Sequence, residues 1–156
     1  MSTKTLARNR AIHLIDIENQ LGTPFCEPSA IALWMEDYMV SFVTGPNDLV
    51  VIGATSTECL FSIDRSGVCG RHLYLPGPDG ADRALLEVMR EERLEARFEK
   101  LFCASGDGIF AAEVSRLARL GMNTTVISRP ERLAKTLLIA AHNVILTTEE
   151  QHRDAA

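Results

Sequence analysis

Residues 11–20 read AIHLIDIENQ, an almost wholly apolar run that closes on Asp16, Glu18 and Asn19. A strand with one solvated face alternates apolar and polar residues, whereas a parallel strand covered on both faces is apolar throughout. The run AIHLI is therefore predicted to be a parallel strand between two layers of helices. A carboxylate at the end of such a strand needs a partner, which makes Asp16 the first candidate for a functional residue.

Five further segments resemble this strand, and segments of helical periodicity separate them. The predicted strands cover residues 11–15, 48–54, 71–75, 100–104, 123–128 and 143–147. The predicted helices cover residues 29–43, about 56–65, 80–97, 108–120 and 131–141. This alternation is typical of βαβ units and predicts a three-layer α/β sandwich with a mostly parallel, Rossmann-like sheet.

The length and composition fit one globular domain. The chain has 156 residues, 46% of them hydrophobic and 24% charged. We expect a flexible N-terminal segment over residues 1–10, a single domain over 11–148 and a solvated tail over 149–156. No signal peptide and no apolar run of about 18 residues is recognisable, so we expect a cytoplasmic protein without a membrane partner.

The charge and the cysteines exclude some classes of function. A net charge of −5 argues against a basic protein that coats nucleic acid, but not against an enzyme that contacts a few phosphates through a metal. The four cysteines form no CxxC pair and have no histidine at zinc spacing. We therefore expect free, reduced thiols and no structural metal.

Carboxylates cluster after three of the predicted strands. In open α/β sheets, ligands bind beyond the carboxyl ends of the strands. If the ends of the first, third and fourth strands are neighbours, several acidic side chains meet at one sheet edge. These are Asp16 and Glu18, then Asp79 and Asp82, then Asp107. Close carboxylates repel one another, and a divalent cation with oxygen ligands, Mg²⁺ or Mn²⁺, would relieve that repulsion.

Each carboxylate also has an ordinary structural interpretation. Asp82 and Asp107 have the positions of helix N-caps, Asp79 lies in a turn-forming PGPDG sequence, and Asp16 could be a buried residue bonded to loop amides. The segment GDGIFA also fits a variant dinucleotide fingerprint, with Arg129 about 20 residues further on. Against that reading, Asp107 would place a carboxylate where a pyrophosphate must lie.

Three short segments, in this order, resemble the NYN domain family of PIN-like metal-dependent ribonucleases. They are LIDIEN with Asp16 and Asn19, GADRALL with Asp82, and FCASGDG with Asp107, the last followed by LARLG and TTVIS. The resemblance spans about residues 11–147. Two positions depart from the family pattern: Ile109, a core-type residue, replaces a frequent second Asp, and Asp79 replaces a frequent lysine.

The resemblance implies a PIN-like fold and a metal-dependent endoribonuclease. Asp16, Asp82 and Asp107 would be the catalytic residues and would hold one or two Mg²⁺ or Mn²⁺ ions. The substrate-binding residues would then be Asn19, Ser105 and Arg83, with Asn19 positioning a water or a phosphate.

Two alternatives remain beside the nuclease. The first is a catalytically weak or inactive PIN-like module that binds RNA or a protein partner, which Ile109 and the acidic charge favour. The second is a dinucleotide-binding regulator that uses GDGIFA. A homodimer is possible, because small α/β domains often form oligomers.

Overall fold

The computed structural model describes residues 9–148 of the chain. Six strands form one sheet in which every neighbouring pair runs parallel. They are β1 (Ala11–Asp16), β2 (Leu49–Ala54), β3 (Arg71–Tyr74), β4 (Lys100–Ala104), β5 (Asn123–Ser128) and β6 (Asn143–Leu146). The predicted α/β class is confirmed, and the sheet is wholly rather than mostly parallel.

The helices follow the predicted segments with three differences. Within residues 9–148 they are α1 (Ile17–Leu21), α2 (Pro28–Phe42), α3 (Thr57–Arg65), α4 (Gly80–Glu91), α5 (Leu94–Arg97), α6 (Ala111–Arg119) and α7 (Lys135–Ala140). Helix α1 was not predicted. The predicted helix 80–97 is broken where Arg93 adopts a left-handed backbone with φ of 50°. Short 3-10 turns, Gly108–Phe110 and Pro130–Arg132, replace the starts of the last two predicted helices.

Two apolar clusters lie on opposite faces of the sheet. Successive residues of a strand point to opposite faces, so Leu14 packs beneath α4 and α6 while Ile15 packs beneath α2 and α3. Both are at most 1% exposed. The three-layer sandwich thus explains why β1 is apolar at consecutive positions.

The sheet order is β3-β2-β1-β4-β5-β6. The chain adds β2 and β3 on one side of β1, then returns to add β4, β5 and β6 on the other side. At this reversal the connections leaving β1 and β4 diverge and open a crevice at the carboxyl ends of the two strands. This crevice, where open α/β sheets generally bind ligands, lies beside Asp16 and the residues after Ala104.

A buried polar network ties β1 to α2 nearer the opposite end of the sheet. His13 is fully buried, and its ring nitrogens hydrogen-bond Tyr38 Oη and Asp48 Oδ2, each at 2.8 Å. Burial lowers the pKa of His13, although Asp48 acts in the opposite direction. The network satisfies the polar groups of the core and lies away from the crevice.

The predicted tails lie almost entirely outside the described residues. The tail 149–156 and residues 1–8 of the predicted flexible segment fall there. Asn9 and Arg10 are fixed to the start of β4, because Asn9 N donates to Glu99 Oε2 and Glu99 N donates to Arg10 O. Among residues 9–148, no helix combines the length and apolarity that a membrane span requires.

Candidate functional site

Asp16 is the last residue of β1 and the N-cap of α1. Its Oδ1 accepts a hydrogen bond from Asn19 N at 3.3 Å, and its Oδ2 accepts one from Ser105 Oγ at 3.4 Å. The interpretation of Asp16 as a residue that begins no helix was wrong, because five residues are too few for a helical pattern to be recognised in the sequence. Its interpretation as a buried residue bonded to a backbone amide is confirmed, but that amide, Asn19 N, belongs to the first turn of α1 and not to a loop.

Asp82 reaches Asp16 although their strands are not adjacent. β2 separates β3 from β1, so the premise that the ends of the first and third strands are neighbours was wrong. The N-terminal turn of α4 instead crosses β2 at Gly53, which pairs with Asp16 in the sheet. A Cβ on Gly53 would lie 3.1 Å from Ala81 O and from Leu85 Cγ. The missing side chain lets α4 approach the sheet and bring Asp82 to Asp16.

The two carboxyl groups form a buried acidic pair. Asp16 and Asp82 are 7% and 6% exposed. Burial is the main reason why the pKa of Asp16 is raised. Burial, the negative charge of Asp16 and a hydrogen bond to Asp16 raise the pKa of Asp82 to about 8. Both shifts favour the protonated forms, so near neutral pH we expect the pair to hold one proton between its two carboxyl groups.

One oxygen of this pair lacks an ordinary donor. Asp82 Oδ1 is buried and accepts no hydrogen bond from any N–H or O–H group of residues 9–148. Asp82 lies within the first turn of α4 and is not its N-cap, which is Asp79, so the capping interpretation of Asp82 was wrong. A buried carboxylate oxygen without a donor is costly unless a proton or a cation satisfies it.

The segment after β4 supports the pair from the other side of the crevice. Ser105 Oγ accepts from Asp107 N at 3.2 Å while it donates to Asp16. Gly106 N donates to Asn19 Oδ1 at 3.1 Å. Ser105 and Asn19 therefore fix the position of the Asp16 carboxylate relative to the loop after β4. The hydroxyl proton of Ser105 is donated to Asp16 and is not available to a ligand.

Asp107 stands apart from the acidic pair. It is exposed, and its Oδ1 accepts from Ile109 N at 3.0 Å, which confirms the capping interpretation for this residue. Its negative charge still contributes to the raised pKa of Asp82. Ile109, expected to be a core-type residue, is 40% exposed instead. The structure thus brings Asp16 and Asp82 together and leaves Asp107 within electrostatic range.

An open cleft of about 260 Å³ lies over the acidic pair. Its lining residues include five that carry charge, namely Asp16, Glu18, Asp79, Asp82 and Arg132. Arg83 is not among the lining residues, and its guanidinium donates to Pro76 O. Sequence reasoning missed Arg132. The signal was the polar segment SRPER after β5, which the strand-end rule would also have placed at this edge.

No protein-family model matches this chain, and comparison with curated protein sequences finds no significant match. A solved structure of similar fold is that of a protein of unknown function from Vibrio parahaemolyticus RIMD 2210633. The likeness has a TM-score of 0.60 and 15% sequence identity, and it covers 91% of this chain and 94% of that one. This likeness establishes the fold alone.

The acidic pair supplies two carboxylates that could hold a divalent cation. Within residues 9–148, no set of three or more His, Cys, Asp or Glu side chains is arranged to hold a metal ion. Mg²⁺, however, keeps several waters and usually takes only one or two carboxylates, with the rest supplied by substrate phosphates. Asp16 and Asp82 line the open cleft and so could supply the one or two carboxylates of such a site, and the buried Asp82 Oδ1 has no donor.

The dinucleotide fingerprint is not arranged to bind a pyrophosphate. A pyrophosphate in such a loop is bound by backbone N–H groups. Here the Gly106 N–H donates to Asn19 and the Ile109 N–H donates to Asp107. Two amides of GDGIFA are therefore already occupied by side chains of the protein.

A second cavity, of about 450 Å³, lies between α2 and the β5–β6 edge. Its lining includes Trp34, Phe42, Ile127 and Ile145 and contains none of the predicted site residues. Its largely apolar walls suit a phosphodiester poorly, so the acidic cleft is the better candidate for the chemistry.

Proposed function

We propose that this chain is a metal-dependent endoribonuclease of the NYN, PIN-like type that hydrolyses RNA phosphodiesters with Mg²⁺ or Mn²⁺. The observation that carries the proposal is the buried Asp16–Asp82 pair at the sheet crevice, with an oxygen that has no donor. The choice of RNA rests on the resemblance of LIDIEN, GADRALL and FCASGDG to that family.

Asp16 and Asp82 would hold the cation, and Asp107 would add negative charge at the rim. A bound divalent cation lowers the pKa of an attacking water and offsets the charge that develops on the phosphate. Asp16 needs no rearrangement for this role, because Asn19 N and Ser105 Oγ already fix its two oxygens. Asp82 must first release its proton, since its pKa lies near 8.

Asn19 and Ser105 divide the supporting work between them. Asn19 lines the cleft, and its Oδ1 is committed to Gly106 N. Its Nδ2 amide is then the donor left for a water or a substrate phosphate. Ser105 acts as a positioning residue, since its Oγ bridges Asp16 and Asp107 N.

The test is cleavage of a labelled single-stranded RNA by the full chain with Mn²⁺. We expect cleavage by the wild type, its loss with EDTA, and a loss of at least about 100-fold in Asp16→Asn and Asp82→Asn, because charge stabilisation by a metal is a large catalytic term. Asp64→Asn is the matched control, because Asp64 is an exposed carboxylate on α3, away from the cleft. Cleavage without metal, no cleavage at all, or equal cleavage by Asp16→Asn would each contradict the proposal.

The second candidate is a module of the same fold that binds RNA or a protein partner without chemistry. Ile109 favours it, because an apolar side chain stands where the resembled family often has a carboxylate, and here it is 40% exposed beside Asp107. RNA binding that survives in Asp16→Asn, together with an absence of cleavage by the wild type, is the outcome that this candidate predicts.

A further inference from the structure

Arg132 is the cation at the rim of the acidic cleft. It lines the cleft together with Asp16, Asp79 and Asp82, and its side chain is exposed. Its Nη2 donates to Gly22 O at 3.3 Å. Among residues 9–148, no Asp or Glu forms an ion pair with it. Since a guanidinium has five N–H groups, most of its donors are left for a ligand.

The backbone of Arg132 is seated directly on the loop that follows β4. Arg132 ends the 3-10 turn Pro130–Arg132, and two residues later Ala134 N donates to Gly106 O at 2.9 Å. A Cβ on Gly106 would lie 2.3 Å from Arg132 O, closer than real atoms approach. Glycine at 106 therefore allows the turn to pack here, and the Gly106–Asn19 bond relates it to the acidic pair.

The side chain of Arg132 is held by the C-terminal end of α1, which forms another wall of the cleft. Gly22 ends α1 with φ of 72°, and a Cβ there would lie 2.6 Å from Arg129 Nη1. Arg129 Nη1 donates to Leu21 O, and Arg132 Nη2 donates to Gly22 O, each at 3.3 Å. Two consecutive carbonyls thus receive the two arginines, and Arg132 is kept beside the cleft.

We propose that Arg132 is the phosphate-binding residue of this cleft and that its guanidinium binds the non-bridging oxygens of an RNA phosphodiester. The proposal rests on the proposed function. Four carboxylates line the cleft and would repel a phosphate, so an anionic substrate needs a cation at the rim. A guanidinium matches two phosphate oxygens at once, which an ammonium does not.

This assignment replaces the role that the sequence suggested for Arg83. Arg83 donates to Pro76 O, lies beside Gly77 and does not line the cleft. The two arginines therefore make opposite predictions for a binding experiment: replacing Arg132 weakens RNA binding, and replacing Arg83 does not.

The experiment measures the anisotropy of a labelled single-stranded RNA with the full chain between 50 and 200 mM salt, with EDTA present to prevent cleavage. Losing one phosphate contact reduces the slope of log affinity against log salt by about 0.7 for single strands. For Arg132→Ala we expect the slope to be smaller than that of the wild type by this amount. We also expect the affinity for RNA at low salt to fall about 10-fold. Arg132→Lys should keep the slope but bind more weakly.

Two further variants keep the result interpretable. Arg132→Gln retains a donor for Gly22 O but has no charge, so it decides the matter if Arg132→Ala fails to fold. Arg119→Ala is the matched control, because Arg119 is an exposed arginine at the C-terminal end of α6, on the opposite sheet edge. It should keep the wild-type slope.

The outcomes separate this proposal from the proposed function. An unchanged slope in both Arg132→Ala and Arg132→Gln, with Asp16→Asn still abolishing cleavage, overturns the role of Arg132 alone. A wild type that neither cleaves nor binds RNA overturns both. A reduced slope in Arg83→Ala with a normal slope in Arg132→Ala returns the phosphate site to Arg83.

Discussion

The side chain of Asn19 accepts a hydrogen bond from the backbone N–H of Gly106 at 3.1 Å, across the crevice between β1 and β4. The backbone N–H of the same residue donates to Asp16 Oδ1. Asn19 therefore couples the position of the Asp16 carboxylate to the loop that follows β4. This hydrogen bond joins two residues that are 87 positions apart in sequence, just beyond the ends of β1 and β4.

Asn19→Ala removes this link and should weaken metal binding without unfolding the protein. Losing a group that directly orients a metal ligand typically costs about 10–100-fold in metal affinity, and since the alanine keeps the backbone N–H on Asp16, we expect a loss at the low end of that range. Calorimetric titration with Mn²⁺ measures the effect. Asn123→Ala, at an exposed asparagine at the start of β5, is the control and should bind as the wild type does. Equal Mn²⁺ affinity of Asn19→Ala and wild type would show that Asn19 does not orient the site.

Asp82→Asn should stabilise the metal-free protein at neutral and alkaline pH. The substitution removes the charge that Asp16 and burial oppose, and the amide can still donate to Asp16. One unit of pKa shift corresponds to about 1.4 kcal/mol, so a gain of at least about 1 kcal/mol is expected at pH 8. That gain corresponds to about 2–4 °C in the melting temperature. A lower melting temperature for Asp82→Asn at pH 8 would contradict the acidic pair.

The pH dependence of that difference has a definite sign. The raised pKa of Asp82 means that the folded state holds a proton between about pH 4 and pH 8 that the unfolded state has released. The free energy of unfolding contributed by this group therefore falls as the pH rises through that window. Melting temperatures of wild type and Asp82→Asn should agree near pH 4 and diverge toward pH 8. A difference that shrinks as the pH rises would refute the shift.

Gly106→Ala should destabilise the fold, because position 106 packs closely against the backbone of Arg132 in the segment after β5. The new methyl group would lie 2.3 Å from both Arg132 O and Ser128 Oγ, so the Arg132 backbone and the Ser128 side chain, or the backbone at position 106, must move. Overpacking of this kind costs about 1–3 kcal/mol, measured as a lower denaturation midpoint. Gly45→Ala is the matched control, because no atom lies within 4 Å of its added methyl group. Equal midpoints for the two variants would mean that the contact is readily relaxed.

The thiols should differ sharply in reactivity. Cys69 is exposed, whereas Cys26, Cys59 and Cys103 are at most 6% exposed. Burial also raises the pKa of the Cys103 thiol, which suppresses its reactive thiolate form. A disulfide reagent should therefore titrate one thiol rapidly in the native protein and four after unfolding. Cys69→Ser should abolish the rapid phase, and a second rapid thiol would indicate that the loop containing Cys26 opens.

The sequence predicted the secondary-structure elements and their layered arrangement better than it predicted which strands lie next to each other in the sheet. All six strands lie within about two residues of their predicted bounds. In β1 and β2, burial on both faces leaves a continuous apolar run, whereas the edge strands β3 and β6 are only partly buried. Helix α1 was missed because five residues contain too little periodicity to detect. The order of the strands was open as well, since strand adjacency depends on packing between distant segments and not on local pattern.

For the candidate site, the sequence correctly indicated which residues follow the carboxyl ends of strands, but it did not indicate which way their side chains point. Asp16 and Asp82 do meet, but by way of Gly53 and α4 rather than through adjacent strands. The sequence also placed Asp107 and Arg83 near the carboxyl ends of the strands. Each instead bonds a neighbouring backbone group: Asp107 accepts from Ile109 N, and Arg83 donates to Pro76 O. Local hydrogen bonds of this kind depend on loop conformation, which a single sequence does not specify. Arg132 lies in the polar segment SRPER at the end of β5, but it was not grouped with the carboxylate clusters because the only acidic residue of that segment, Glu131, was placed inside a predicted helix.

The proton shared by Asp16 and Asp82 has a consequence for the energetics of the proposed cation. A metal ion that enters the pair must displace that proton into the buffer, because the pKa of Asp82 lies near 8. The heat of Mn²⁺ binding at pH 7 should then vary with the ionisation enthalpy of the buffer, with a slope near one proton per ion. Apparent affinity should rise about tenfold per pH unit below 8. The fraction of sites that hold a metal ion would thus fall when the pH falls, even at a constant metal concentration.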